Sequence, residues 1–175
     1  LDYSDRITSV LTGEVTPEGR DVVQSVNAAD ATIRGFESGA SVDLTDTMSL
    51  RAVLNYTWSE ERLPAAPAEP GDRIPPLSGR LEFGYDAGGD FRLDAWLRFA
   101  GEQDRLSSRD VRDIRIDPNG SSGWGILGAR GTTDARGGWQ FPLGVHNLYD
   151  KRYRVPGSGL DAPGRNLVVR VRKTW

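Results

Sequence analysis

The sequence contains no cysteine and only one histidine and one methionine among its 175 residues. The absence of cysteine excludes disulfides, thiolate metal sites and a cysteine nucleophile. Long hydrophobic runs are absent too, because charged residues interrupt every apolar stretch before it reaches the roughly 18 residues that a membrane-spanning helix needs. The formal net charge is -3 and no cluster of basic residues is interleaved with aromatics. Nucleic acid is therefore not an expected partner.

Apolar and polar residues alternate with a period of two over several segments, which is typical of β-strands and not of helices. Between Met48 and Trp58 the even positions are apolar or aromatic, and the odd positions are polar except Val53. The same pattern predicts strands over 91–99 and 167–175, and weaker versions predict strands over 80–87 and 139–149. In the segment 22–44, Phe36, Ala40, Val42 and Leu44 share one face, which predicts another strand. Position along the chain suggests two more, over 3–11 and 124–130. We therefore expect an all-β chain of about eight strands.

The predicted connections alternate in length along the chain. Those over 45–47 and 88–90 are short, and the one over 131–138 is somewhat longer. The remaining connections are long, over 12–21, 60–79, 100–123 and 150–163. Transmembrane β-barrels have short periplasmic turns and long extracellular loops, whereas a soluble sandwich gives no reason for this alternation. The sequence predicts a segment of an antiparallel up-and-down transmembrane β-barrel.

Three short motifs stand out along the chain. The first is Asn27-Ala28-Ala29-Asp30-Ala31-Thr32-Ile33-Arg34-Gly35-Phe36-Glu37, the second is Asn147-Leu148-Tyr149-Asp150-Lys151-Arg152-Tyr153, and the third is Pro163-Gly164-Arg165-Asn166 before the last strand. In their residues, order and spacing they resemble the motifs of TonB-dependent outer-membrane receptors. The resemblance covers nearly the whole chain, as the last eight strands of a barrel that has 22 in this family.

This resemblance implies that residues 1–175 are the C-terminal portion of a receptor barrel in the outer membrane of a Gram-negative bacterium. The complete receptor would import a scarce solute, such as an iron-siderophore, haem, cobalamin or an oligosaccharide. The implied partners are membrane lipid, the receptor's own plug domain and remaining strands, a TonB-type energy transducer and the barrel-insertion machinery. The chain starts at Leu1 without an initiator methionine, and we expect it to be a segment that lacks the plug. No enzymatic activity, cofactor or metal site is predicted.

Two sets of residues are candidates for functional roles. The resemblance implies that the terminal aromatic Trp175, with Val171 and Val169, belongs to the signal for barrel insertion, although phenylalanine is usual at the end. Alternation places a second set on the interior side, where large barrels are polar and where charges can face the plug or the solute. Its members are Arg51, Arg80, Glu82, Arg92, Asp94, Arg98, Arg170 and Arg172.

Three other functions stay open on the sequence alone: a self-contained small barrel with a structural or adhesive role, a soluble β-sandwich binding module, and an outer-membrane hydrolase. The hydrolase would depend on His146 beside Asn147, but no nucleophile motif accompanies them. An interior polar residue is the better account of His146. Asp113, Asp117, Asn119 and Gly120 do not have the spacing of a calcium loop.

Overall fold

The computed structural model describes residues 2–63 and 66–175. They form one antiparallel sheet in which each long strand pairs with the next strand along the chain. The strands are β1 (Asp2–Val15), β2 (Asp21–Asp43), β3 (Met48–Arg62), β4 (Glu69–Pro70), β5 (Ser78–Asp86), β6 (Phe91–Ala100), β7 (Trp124–Ala135), β8 (Trp139–His146), β9 (Asn166–Val169) and β10 (Arg172–Lys173). One short helix, α1 (Ser108–Arg112), lies between β6 and β7.

The sheet confirms the predicted all-β up-and-down architecture. Short β4 adds to β3, while β9 and β10 both pair with β8 as two halves of the last strand. Within the described residues, β1 and the last strand are not hydrogen-bonded to each other, so the sheet stays open. No second sheet packs against it there, as a β-sandwich would require. In the same part of the chain, no helix is long and apolar enough to cross a membrane.

Strand register sorts the side chains into two faces. Across β3 and β5, Leu50 lies opposite Phe83 and Ala52 opposite Leu81, and the same row continues to Leu97 in β6 and Leu127 in β7. The alternate rows carry polar and charged residues, such as Arg51 opposite Glu82. We call the apolar side the outer face and the polar side the inner face. The predicted alternation of apolar and polar residues between the two faces of these strands is confirmed.

Apolar side chains of the outer face are widely exposed, which is unusual for a protein surrounded by water. Phe141 is 45% exposed, Leu143 58% and Val169 73%. The few buried apolar residues lie instead on the inner face, where Ala100, Trp124 and Ile126 pack together. Among the described residues, the apolar rows of the outer face are therefore not part of a buried hydrophobic core.

Two connections are shorter than predicted: the one between β1 and β2, and the one between β7 and β8. The link between β1 and β2 was predicted to be long, but it spans only 16–20, because Val15 still pairs with Asp21. The link between β7 and β8 spans only 136–138, with positive φ angles at Gly137 and Gly138 that suit a tight turn. The long connections over 63–77, 101–123 and 147–165 all leave the same end of the sheet. We call that end the long-loop end and the opposite end the short-turn end.

The last strand is interrupted where one continuous strand was predicted. Pro142 of β8 faces this break, and the Arg170 amide donates to the Pro142 carbonyl oxygen at 2.9 Å. Proline has no N–H to donate in return, so the ladder loses a bond at that position. This explains why β9 ends at Val169 and β10 resumes at Arg172. Strand β8 also ends earlier than predicted, at His146, because Asn147 has a positive φ of 51°.

Candidate functional site

All six arginines predicted for the barrel interior lie in the inner rows, but they are not equivalent. Arg80 forms an ion pair with Glu82 at 2.9 Å, and Arg92 forms one with Asp86 at 3.3 Å. Arg51 faces Glu82 across the β3–β5 ladder. The side chains of the other predicted arginines form no hydrogen bond or ion pair with any residue that the structure describes; these are Arg98, Arg170 and Arg172.

An aromatic side chain organises the middle of the inner face. Trp96 is 8% exposed, and its ring lies 5.3 Å from the Arg80 guanidinium carbon and 5.1 Å from the His146 ring. A Cβ on Gly128, opposite Trp96, would lie 2.5 Å from that ring, so only glycine leaves room for it. Arg80, His146 and Trp96 also line a cavity of about 230 Å³ with Arg130 and Arg170. This cavity is a cationic recess in the wall.

Arg130 is an inner-face residue that the sequence prediction did not single out. Its guanidinium contacts the Asp94 carboxylate at 2.6 Å, across the β6–β7 pair. Asp94 was predicted as an interior charge, and no partner was assigned to it. Its partner depends on the register of two strands, which alternation within one strand does not reveal.

A larger cavity of about 550 Å³ opens among the three long loops. We call it the loop cavity. Its apolar lining includes Trp124 and Tyr153, whose rings are 4.5 Å apart. Trp124 Nε1 is buried without a hydrogen-bond partner among the described residues. Arg154 is held by Asp161 at 2.8 Å, whereas the side chain of Arg152 has no partner in the described part of the chain. The remaining charged residues of its lining are Arg73, Arg115, Asp110 and Asp117.

Loops 63–77 and 101–123 are bound together by a network of charged hydrogen bonds. Asp72 accepts from Ser107 Oγ at 2.8 Å and from Arg109 at 3.1 Å. Glu69 accepts from the Ser108 amide at 2.9 Å. The Arg73 amide donates to both carboxylate oxygens of Asp110. These bonds make the two loops one structural unit beside the loop cavity.

Helix α1 exists because of a capping box. The Ser107 hydroxyl accepts from the Asp110 amide, and the Asp110 carboxylate accepts from the Ser107 amide. Both residues are buried, at 1% and 3% exposure. The sequence signal, serine followed three residues later by an acidic residue, is a known helix start. This helix was not predicted, because the whole segment over 100–123 was interpreted as a loop.

Asp113 joins two arginines at the edge of the loop cavity. Its carboxylate contacts Arg73 and Arg115, each at 2.6 Å. Hydrogen bonds from Arg115 hold the pKa of the Asp113 carboxyl well below its usual range, with a smaller contribution from Arg73. The same pair raises the pKa of Arg115. Asp113 therefore stays ionised at any physiological pH.

The second and third sequence motifs meet at the base of loop 147–165. Asn147 is 2% exposed; its amide donates to the Lys151 and Pro163 carbonyl oxygens, and its side-chain oxygen accepts from the Lys151 amide. Asp150 accepts from the Arg165 amide at 2.7 Å. A Cβ on Gly164 would lie 2.5 Å from that carboxylate. The two motifs thus close the base of one loop, and their residues are explained by its geometry.

The residues predicted as an insertion signal lie at the end of the chain. Val169 and Val171 are 73% and 60% exposed, and Trp175 is fully exposed. Val169 lies opposite Leu143, in an outer row. Among the described residues, no group of three or more His, Cys, Asp or Glu could hold a metal ion.

The chain is similar to proteins of known family and structure. The family model described as TonB dependent receptor-like, beta-barrel matches residues 1–161. Among solved structures, the copper transporter OprC is 26% identical with a TM-score of 0.74; the alignment covers 97% of this chain and 26% of OprC. The FrpB iron transporter from Neisseria meningitidis (F3-3 variant) is 14% identical with a TM-score of 0.69, covering 97% of this chain and 27% of FrpB. A mutant of the ferric enterobactin receptor PfeA from Pseudomonas aeruginosa is 20% identical with a TM-score of 0.64, covering 97% of this chain and 27% of PfeA.

This chain spans about a quarter of the length of these solved proteins. No curated protein sequence matches it. The likenesses to FrpB and PfeA bear on the fold alone, since their identities are low. The family model, however, covers almost the whole chain and agrees with the two-faced antiparallel sheet. The chain belongs to the family of TonB-dependent receptors, as part of their β-barrel.

Proposed function

We propose that this chain is the C-terminal part of the barrel of an outer-membrane importer that takes up a metal or a metal chelate. The observation that carries the proposal is the family match over residues 1–161. OprC, PfeA and FrpB are described as transporters or receptors of copper, ferric enterobactin and iron. Among the solutes expected from the sequence, these relatives favour metal-containing ones over an oligosaccharide.

The outer face has the height of a membrane belt, which supports an outer-membrane location. Ten residue steps separate Met48 from Trp58 on β3. At about 3.3 Å per step and a tilt near 40°, they rise roughly 25 Å, which is the height of the apolar band of such barrels. Beyond Trp58 the next outer-row residue is Glu60, opposite Thr32, so the row turns polar. The short-turn end then lies in the periplasm and the long loops outside the cell.

The loop cavity is the part of this chain that we propose contacts the solute. It lies at the extracellular end, and it combines the Trp124–Tyr153 ring pair with the Arg152 side chain, which has no partner among the described residues. Rings can stack on the flat groups of an organic chelator, and a guanidinium binds carboxylate or phenolate oxygens in two parallel bonds. A chelated metal that carries such groups fits this lining.

The inner face is proposed to line the plug domain of the complete receptor. Arg98, Arg170 and Arg172 are charged, exposed and unpartnered among the described residues. A large barrel with a plug gives such side chains acidic or carbonyl partners on the plug surface. Energy transfer by a TonB-type protein would then act on the plug, and the insertion machinery would recognise the end of the last strand, including Trp175.

Uptake by the complete receptor tests this proposal. A strain lacking the receptor gene would be compared with its parent, under metal limitation, for accumulation of radiolabelled copper and of ferric chelates. We expect loss of one of these and its restoration by the intact gene. Unchanged accumulation of every metal and chelate would overturn the importer assignment.

The loop cavity is tested by binding to the purified complete receptor. With the solute identified by uptake, Arg152→Gln should weaken binding roughly tenfold or more, since a hydrogen bond to a charged group contributes about 1.5–3 kcal/mol. Arg112→Gln is the matched control, because Arg112 is exposed on α1 and does not line the cavity. Equal affinities of the two variants would exclude Arg152 from the solute site.

A further inference from the structure

A lysine lies between two tryptophans at the short-turn end of the sheet. Lys173 Nζ is 5.2 Å from the ring centroid of Trp139 and 5.1 Å from that of Trp175. It also donates to the Gly137 carbonyl oxygen in the turn between β7 and β8. Both tryptophans are exposed, Trp139 at 42% and Trp175 fully. Three contacts therefore fix a cation on the protein surface.

The register places this cation on the outer face, at the edge of the apolar belt. Lys173 is the strand partner of Trp139, and Trp139 stacks on Phe141 in the same outer row. Leu143 and Val171 continue that surface toward the middle of the belt, and both are exposed. The turn over 136–138 lies on the other side. The cluster is thus at headgroup level, where tryptophan and the long side chain of lysine are both favourable.

Two cationic residues occur together in this corner of the sheet: Lys173, and Arg136, which directly precedes the Gly137 that Lys173 contacts. Arg136 in the adjacent turn is exposed, and its side chain has no partner in the described part of the chain. Lys173 contacts a carbonyl oxygen and two ring faces but forms no ion pair with a described residue, and its ammonium has three donors. The nearest acidic residue along the strands, Asp134, pairs with Gln140 on the inner face. Among the described residues, neither Lys173 nor Arg136 thus forms an ion pair.

We propose that Lys173 and Arg136, with Trp139 and Trp175 as walls, bind the phosphate of an anionic phospholipid in the membrane leaflet at the short-turn end. The acyl chains would lie along the exposed row of Phe141, Leu143 and Val171. This row is the reason to assign a lipid phosphate and not a free phosphate ion. The inference rests on the membrane location given under the proposed function.

Lipid retention by the complete receptor tests the site. The purified, delipidated receptor would be titrated in detergent with phosphatidylglycerol or phosphatidylcholine, and bound lipid would be counted by native mass spectrometry. We expect preference for phosphatidylglycerol, and a loss of roughly 30-fold in its affinity for the double variant Lys173→Gln, Arg136→Gln. The control is the double variant Lys151→Gln, Arg165→Gln, which also removes one lysine and one arginine charge, but at the long-loop end. It should bind phosphatidylglycerol as the wild type does.

Two further arms keep the test decisive if the double variant folds poorly. Lys173→Arg should retain phosphatidylglycerol, because the charge is kept, and inorganic phosphate at millimolar concentration should not displace the lipid. The inference is overturned if the wild type retains both lipids equally, if inorganic phosphate displaces phosphatidylglycerol, or if the Gln variants bind like the control. Normal metal uptake together with such a result would overturn this inference alone. A receptor that stays soluble without detergent would overturn the membrane location and this inference together.

Discussion

Replacing Leu54 by arginine tests the two-faced wall most directly. Leu54 pairs with Ser38 in β2 and Gly79 in β5, so it lies in an outer row. It is close to the midpoint between Met48 and Trp58, which bound the apolar band on β3. An arginine at the midplane of a transmembrane barrel costs about 2–4 kcal/mol. The folding equilibrium should therefore shift roughly 30-fold to 700-fold toward the unfolded state.

The neighbouring residue provides the matched control for this substitution. Asn55 is one step along the same strand, on the inner face, and it lies opposite Glu37. Asn55→Arg adds the same side chain at nearly the same depth but points it away from lipid and toward a carboxylate. We expect a cost below about 1 kcal/mol, as for an ordinary surface substitution.

The measurement is urea unfolding of the complete receptor in lipid vesicles, followed for both variants and the wild type. A large loss for Leu54→Arg and a small one for Asn55→Arg is the expected result. Equal losses would refute the assignment of faces. A larger loss for Asn55→Arg would show that the rows are reversed.

The remaining predictions concern the inner face and the loops. Gly128→Ala should destabilise the receptor by about 1–3 kcal/mol, because the added methyl group would overlap the Trp96 ring. Gly125→Ala is the control and should be tolerated, because the nearest atom to its added methyl group lies at 3.6 Å. Equal unfolding midpoints of the two variants would contradict this packing. Asp72→Ala removes the bonds to Ser107 and Arg109, so hydrogen exchange should speed up in both 63–77 and 101–123; acceleration in only one segment would show that the loops are not one unit. Because folding lowers the pKa of Asp113, its ion pairs stabilise the folded loop at any pH above the pKa of this carboxyl in the unfolded chain, near 3.8. That stabilisation is lost only as the pH falls through the lower pKa of the folded chain. Proteolytic protection of 101–123 should therefore be the same at pH 7 and pH 5, and loss of protection at pH 5 would contradict the role of this carboxylate.

The strands could be predicted where one row of side chains is apolar and the other polar, and their ends could not. Alternation identified the start of β3 at Met48, because the outer row there is apolar and the inner row polar. Its observed end at Arg62 lies four residues beyond the predicted Trp58. From Ser59 to Arg62 both rows are polar, so the alternation disappears although the hydrogen-bonded ladder continues. The same loss of contrast hid the extension of β1 to Val15 and produced a loop prediction that was wrong.

The candidate site was less predictable, since it depends on which residues of different strands and loops become neighbours. Parity alone placed Arg80 on the inner face, but its contact with Trp96 requires the register of β5 against β6. The capping box of Ser107 and Asp110 was visible in the sequence and was overlooked. Its attachment to Asp72 joins positions 35 residues apart, which no local pattern encodes.

The two-faced pattern of the strands also explains why this chain is only 14% identical in sequence to FrpB although the two structures superpose with a TM-score of 0.69. A strand in a barrel needs only apolar residues on one side, polar residues on the other and a few glycines such as Gly128 where a large ring crosses the ladder. Many sequences satisfy that rule with the same backbone. The loops obey no such rule, because their structure depends on specific pairs such as Asp72 with Ser107 and Asp113 with Arg115. We therefore expect relatives to differ in solute preference through the long loops that correspond to 63–77, 101–123 and 147–165 in this chain. Their strands should share the same backbone structure.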